Sequence, residues 1–174
     1  MDAADQPLEE QIAQFGDVGR PTLASLYERH LGRMIALASL LGGDRAAAED
    51  IAHDAFIRVA ARLDILDRDV RFEAYLQRAV VNACRSRLRR LTLERRFVAR
   101  QLVATVPAPD PPLDARVATA LRELPYRQRA AVALRYLEDL SEEQTAHVLR
   151  CSPRAVNALV SRALVSLRAQ IERE

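Results

Sequence analysis

The 174-residue chain has no lysine and no tryptophan, only two cysteines and only five glycines. Each scarcity excludes something. The glycines (Gly16, Gly19, Gly32, Gly42 and Gly43) all precede residue 44. A phosphate-cradling loop, a dinucleotide fingerprint and a nucleophile elbow each need glycine at set spacings, and none of these patterns is present. Cys84 and Cys151 build neither a disulfide framework nor a ligand cluster, which fits a reducing cytosol. His30, His53 and His147 lack metal-ligand spacing and read as surface or boundary residues. No apolar run approaches the length of a membrane span, and the acidic start is unlike a signal peptide. The expectation is a cytoplasmic protein that is not an enzyme, has no cofactor or metal, and does not insert into a membrane. Without lysine, all 26 basic residues are arginine, set against 24 acidic ones. A net charge of +2 does not by itself argue for nucleic acid, so the distribution of charge has to decide.

What the chain does have is helical periodicity. At 49% hydrophobic it can bury a core, though either half alone would be small. Leu23, Leu26, Tyr27, Leu31, Met34, Ile35 and Ala38 recur at the spacing of one helix face. Gly42-Gly43 ends that helix, and Asp44 can cap the next. A second stripe runs through Ala48, Ile51, Ala52, Ala55, Phe56, Val59, Ala60 and Leu63. The polar stretch "DILDRDV" separates it from a third: Phe72, Tyr75, Leu76, Ala79, Val80, Ala83, Cys84, Leu88 and Leu91. Three such helices make a small bundle. "VPAPDPPLD", residues 106–114, holds four prolines and reads as an extended linker. Beyond it, Leu113–Leu124 can form a helix, and "LPYRQRAAVALRYLEDL" a second from Pro125. "SEEQ" at 141–144 fits a capping box that opens a short helix to Leu149. The turn "RCS" follows, and then a longer helix with Ser152 as N-cap and Pro153 at its first position. Helix, tight turn and longer helix is the helix-turn-helix arrangement. The expected fold is all-α. A mobile acidic tail covers 1–20, a helical bundle 21–103, a proline-rich linker 104–112 and a helix-turn-helix domain 113–174.

Charge sorts by helix. Residues 71–100 hold nine arginines against Glu73 and Glu94. Arg78, Asn82, Arg85 and Arg89 fall on one line of the third helix, opposite its apolar stripe. Such a line can follow a phosphate backbone, and Asn82 can bond a base edge. Phe72 and Tyr75 share the apolar stripe, so both read as core rather than as stacking groups. The second helix is the reverse, with Glu49, Asp50 and Asp54 on its outer face beside His53 and Ile57. DNA would repel that face, whereas a basic protein surface would accept it. A solvated face is the alternative for each line. Two faces of opposite sign suggest two partners.

Three stretches together resemble a known family: "LYERHLGRMIALASLLGGDRAAAEDIAHDAFIRV", "FEAYLQRAVVNACRSRLRR" and "LPYRQRAAVALRYLEDLSEEQTAHVLRCSPRAVNALVSRALVSLR". They are similar to the core-binding, promoter-melting and upstream-recognition regions of bacterial sigma factors of the extracytoplasmic-function group. The resemblance covers about residues 22–172. It implies that Glu49, Asp50, His53, Asp54 and Ile57 dock on core RNA polymerase. It gives Arg71, Arg78, Asn82, Arg85 and Arg89 to the minus-ten element. Arg154, Asn157, Ala158, Ser161 and Arg162 go to the minus-thirty-five element, and an anti-sigma factor becomes a possible partner. The chain departs from the family pattern at His53 (usually glutamine), Tyr75 (usually tryptophan) and Arg150 (commonly glycine). Asn157, Ala158 and Leu159 stand where a basic residue, a serine and another basic residue are usual, so the reading surface is thinned. The implied function is promoter-directed initiation of transcription. The alternatives are a sigma-like module that binds polymerase or a regulator without initiating, and a one-component helix-turn-helix repressor.

Overall fold

The computed structural model describes residues 22–42, 45–62, 69–98 and 115–172. Every regular element among them is helical, as the periodicity predicts. In the N-terminal half, α1 (Leu23–Gly42), α2 (Arg45–Ala60) and α3 (Asp69–Val98) pack pairwise on one another. The C-terminal half comprises α4 (Ala115–Glu123), α5 (Tyr126–Val132, continued by a π turn over Ala133–Leu137), α6 (Glu142–Leu149) and α7 (Pro153–Ile171). Within it α4, α5 and α6 all pack on α7. The expected tail, the Gly43-Asp44 junction and the 104–112 linker lie outside the described residues.

Thr22 starts α1: its side-chain oxygen accepts the Ser25 N–H at 3.2 Å. The buried face of α1 is wider than the expected stripe, adding Leu37, Leu40 and Leu41, because helices of both halves pack against it. Leu23, in the exposed first turn, is not part of the core. His30 corrects the expectation of a surface or boundary histidine. It lies one turn from Leu26 and one from Met34, so it is carried into the core, 5.9 Å from the Phe72 ring. Phe56 ties the three helices together, meeting Tyr27 edge-on at 5.0 Å and Phe72 at 5.5 Å. α3 begins at Asp69, inside the stretch read as a separator.

The helix-turn-helix forms as its local signals dictate. The Ser141 hydroxyl accepts the Gln144 N–H at 3.2 Å, and the Gln144 amide oxygen accepts the Ser141 N–H at 2.7 Å. Ser152 accepts the Ala155 N–H at 3.2 Å and opens α7, with Pro153 in its first turn. Val156 and Ala163 are the buried residues of α7, and Leu164 beside Ala163 is exposed. Arg150 sits at φ 50 in the turn, the left-handed region where glycine is at ease. A side chain there costs about 1–2 kcal/mol, partly offset by the extra unfolded-state entropy of glycine. Arg150→Gly is therefore expected to stabilise the chain by about 0.5–1 kcal/mol, read as a higher thermal midpoint. A lower midpoint would show that the Arg150 side chain itself supports the turn.

Two features go beyond the sequence reading. The helix begun at Tyr126 does not run evenly to Leu140; it widens into a π turn. The Glu138 N–H bonds to Ala133 O at 3.1 Å and the Leu140 N–H to Leu134 O at 3.0 Å, while the Arg135 guanidinium also donates to Leu140 O. The chain leaves this turn with the Glu138 side chain against α1 and α3. Secondly, the halves on either side of the proline-rich segment are packed together. One apolar cluster runs from Leu26, Met34 and Phe56 through Val80 and Cys84 to Leu124, Leu134, Val148 and Ala163. The Tyr126 hydroxyl donates to Val81 O on α3 at 2.6 Å.

Candidate nucleic-acid interface

α2 carries the acidic face because its small residues, Ala48, Ala52 and Ala55, are buried together with Phe56 and Val59, which turns its carboxylates outward. Asp50 and Asp54 are exposed, and Ile57, one turn beyond Asp54, is 66% exposed. Glu49 is half-buried and paired with Arg45 at 2.9 Å; Asp54 meets Arg58 at 3.5 Å. Pairs this open contribute little, so the carboxylates remain able to accept stronger partners. His53 does not face outward as expected. Its Nδ1 lies 2.7 Å from Glu49 O and its Nε2 2.6 Å from the Tyr27 hydroxyl. A carbonyl only accepts, so Nδ1 carries the proton, and Nε2 accepts from Tyr27. His53 staples α2 to α1, and the outward acidic face reduces to Asp50, Asp54 and Ile57, with Glu49 at its edge.

On α3, Asn82, Arg85 and Arg89 are exposed and Arg78 is half-buried; the side chain of Arg71 lies outside the described residues. The two faces of opposite sign are not on opposite sides of the bundle. Asp50, Asp54 and Arg58 form one wall of a groove of about 550 Å³, and Asn82, Arg87 and Arg90 line the other. Arg87 and Arg90 escaped the sequence reading because they lie off the i, i+4, i+7 line, although the run "RSRLRR" contains them. Phe72 is core as expected. Tyr75, read with it as core, is 45% exposed. One residue is about 100° of helix, which separates Tyr75 from buried Leu76 and leaves its ring on the surface.

α7 exposes Arg154, Asn157, Ser161 and Arg162; Ala158 is half-buried, and its carbonyl accepts from Arg162 Nε at 3.0 Å. Val165, absent from the expected set, is 71% exposed. The signal was present, since Asn157, Ser161 and Val165 are spaced one turn apart. An apolar side chain on such a face suits a thymine methyl group, as an amide suits adenine.

Among the described residues, the buried titrating groups that depart from ordinary behaviour lie between the halves, while exposed Glu143, in the first turn of α6, is held low by hydrogen bonds from the backbone and Ser141. Burial pushes the Cys84 thiol up to about 12, with Arg87 and Arg129 pulling the other way. Burial likewise raises the Glu138 carboxyl, opposed by the hydrogen bond from Gln77 and the charge of Arg33. Only the thiolate attacks an electrophile, so Cys84 is expected to stay unmodified by iodoacetamide in the folded chain. Half-buried Cys151 should take one equivalent. Two equivalents before denaturation, counted by mass spectrometry, would show that the core around Cys84 opens freely.

Residues 26–94 match the family described as Sigma-70 region 2, and residues 114–167 match Sigma-70, region 4. The chain is 30% identical to the RNA polymerase sigma factor NccH of Alcaligenes xylosoxydans xylosoxydans, over 98% of this chain and 96% of that one. It is also 30% identical to the ECF RNA polymerase sigma factor SigM of Mycobacterium tuberculosis, over 82% and 73% of the two chains. The sigma factor RpoE of Bartonella quintana, solved in complex with the anti-sigma factor NepR, superposes with a TM-score of 0.71 at 25% identity, covering 84% of this chain and 94% of that one. Among the described residues no helix is long and apolar enough to cross a membrane. With both regions present in order and the fold shared, this chain belongs to the extracytoplasmic-function group of sigma factors, transcription initiation factors that direct RNA polymerase to promoters.

Proposed function

We propose a division of labour within that activity. Residues 21–103 dock on core polymerase through Asp50, Asp54 and Ile57 of α2, and engage the minus-ten element through Arg71, Arg78, Asn82, Arg85 and Arg89 of α3. Residues 104–112 link this half to residues 113–174, whose α7 meets the minus-thirty-five element through Arg154, Asn157, Ala158, Ser161 and Arg162, with Val165 added. The protein works in the cytoplasm as a non-catalytic subunit, and a protein of the anti-sigma class is its further partner, as for the Bartonella quintana relative.

The observation that carries this reading is the shared groove between α2 and α3, with Asp50 and Asp54 on one wall and Asn82 on the other. A strand of nucleic acid following α3 is repelled by the acidic wall and held by the arginines of α3, of which Arg87 and Arg90 line this groove and Arg85 and Arg89 the next, while the acidic wall stays free for a basic protein. Exposed Tyr75 supplies the aromatic face that an unstacked base requires. The test is in vitro transcription with purified core enzyme, with permanganate footprinting of the melted region. Stacking is worth about 1–3 kcal/mol per base, so Tyr75→Ala is expected to reduce opening about tenfold with core binding retained. Arg85→Ala with Arg89→Ala should make opening fail at lower salt than in the native protein. Normal opening in both variants would show that α3 presents only a solvated face.

A further inference from the structure

Arg129 of α5 is a buried cation without a counter-charge. It is only 9% exposed, and its Nε donates to nothing. Among the described residues no carboxylate pairs with the guanidinium. A second cation, Arg122 of α4, lies close enough to repel it, and the Arg122 Nε is likewise buried without an acceptor. α3 covers the position with Cys84, whose thiol feels the charges of both Arg129 and Arg87. Glu123, the carboxylate next to Arg122 in sequence, is committed elsewhere: it is exposed and accepts from Gln170 Nε2 at 2.9 Å.

Ionisation within the chain does not relieve this charge. Burial pulls the Arg129 guanidinium below its ordinary value and Arg122 adds to the pull, yet an arginine keeps its proton at neutral pH. Tyr126 and Cys84 would oppose the pull only as anions. Burial pushes both of them up, the thiol to about 12, so at neutral pH both are uncharged. The Tyr126 hydroxyl is in any case spent on Val81 O. An unpaired buried charge is strongly destabilising until an anion meets it.

We propose that Arg122 and Arg129 form a binding site for a small phosphate-type oxyanion, covered by α3 at Cys84 and Arg87. Guanidiniums present forked donors that match the oxygens of such an anion in pairs, which a chloride ion cannot do. Cations rather than carboxylates surround the position, and this favours a doubly charged ligand. Arg129 is too deep for the backbone of a duplex. The ligand is therefore a free ion or the terminal phosphate of a small ester, entering past half-buried Arg122. Both arginines belong to the C-terminal half, and the site does not depend on which half meets which promoter element.

The full chain is titrated with inorganic phosphate at constant ionic strength, chloride making up the balance, and followed by calorimetry and thermal midpoint. One phosphate is expected to bind. At ten times its Kd the folded-to-unfolded ratio should rise about elevenfold, or about 3–6 °C in midpoint. Arg122→Gln, at a half-buried position, should fold normally and weaken phosphate about tenfold. Arg129→Met removes the charge at similar volume. It should lose the response and, without phosphate, melt at or above the native midpoint. A nucleoside monophosphate run in parallel separates the two sources. Equal affinity identifies the free ion and tighter binding the ester, and either supports the site. A midpoint that climbs without saturating, equally in all three chains, is the general effect of an excluded salt and overturns the site. An Arg129→Met chain that melts well below the native one without phosphate overturns it too, because the guanidinium would then already be neutralised within the chain.

Discussion

Reversing Asp50 and Asp54 to arginine together is expected to abolish retention of core polymerase while leaving helical content intact. Both side chains are exposed and Asp54 has only the weak Arg58 pair to lose, so the fold gives up almost nothing. A basic surface on the partner would then face two like charges, a juxtaposition that costs several kcal/mol. About 4 kcal/mol is roughly a thousandfold in affinity, enough to empty a pull-down at ordinary protein concentrations. Ile57→Ala, which removes apolar contact without altering charge, should weaken retention by a smaller factor. Core enzyme retained as well by the double reversal as by the native protein would remove α2 from the docking surface.

Phe56→Ala should produce a large loss of stability in the N-terminal half. The ring is buried between Tyr27 and Phe72, so its removal opens a cavity where three helices meet. Such truncations cost about 3–5 kcal/mol, against a total of about 5–15 for a domain. For a chain of this size the thermal midpoint should fall by about 10 °C or more. The variant also separates two ways of losing polymerase. Phe56→Ala loses it through a loosened α2 and shows that loss in circular dichroism on warming, whereas the aspartate reversal does not. A midpoint lowered by no more than a couple of degrees would mean that Tyr27 and Phe72 collapse into the space.

What was legible in the sequence was local or periodic. The capping box at Ser141 and Gln144, the Ser152-Pro153 start of α7 and the turn at Arg150 are written in adjacent residues, and the structure contains all three. The apolar stripes of α1, α2 and α3 set the bundle because a helix has one way to bury such a stripe. What was not legible depends on what packs from elsewhere. His30 shares the register of Leu26 and Met34, but polarity argued against burial until Phe72 supplied a neighbour. Tyr75 sits at the margin of its stripe, where the periodicity alone leaves either side open. His53 looked outward until Tyr27, on another helix, took its second nitrogen. Four prolines announce a join between halves but carry no information on whether those halves touch. Glu138 is one of several acids in "LEDLSEE", and nothing nearby distinguishes the one that is buried.

The π turn at Ala133–Leu137 also bears on how chains of this kind can change length. A π turn holds one residue more than the α-helical turn it replaces. Losing a single codon there would let the helix close up as ordinary α, with no loop to rebuild and no core side chain necessarily sacrificed. Everything downstream would turn by about 100° relative to α5. The helix-turn-helix would keep its internal geometry, and the N-terminal bundle would be untouched. Glu138 would swing away from Arg33 and Gln77, and α6 would lose its register on α3. A one-residue deletion is thus a single mutational step that would part Glu138 from α1 and α3 while leaving the pairing of α6 with α7 as it is.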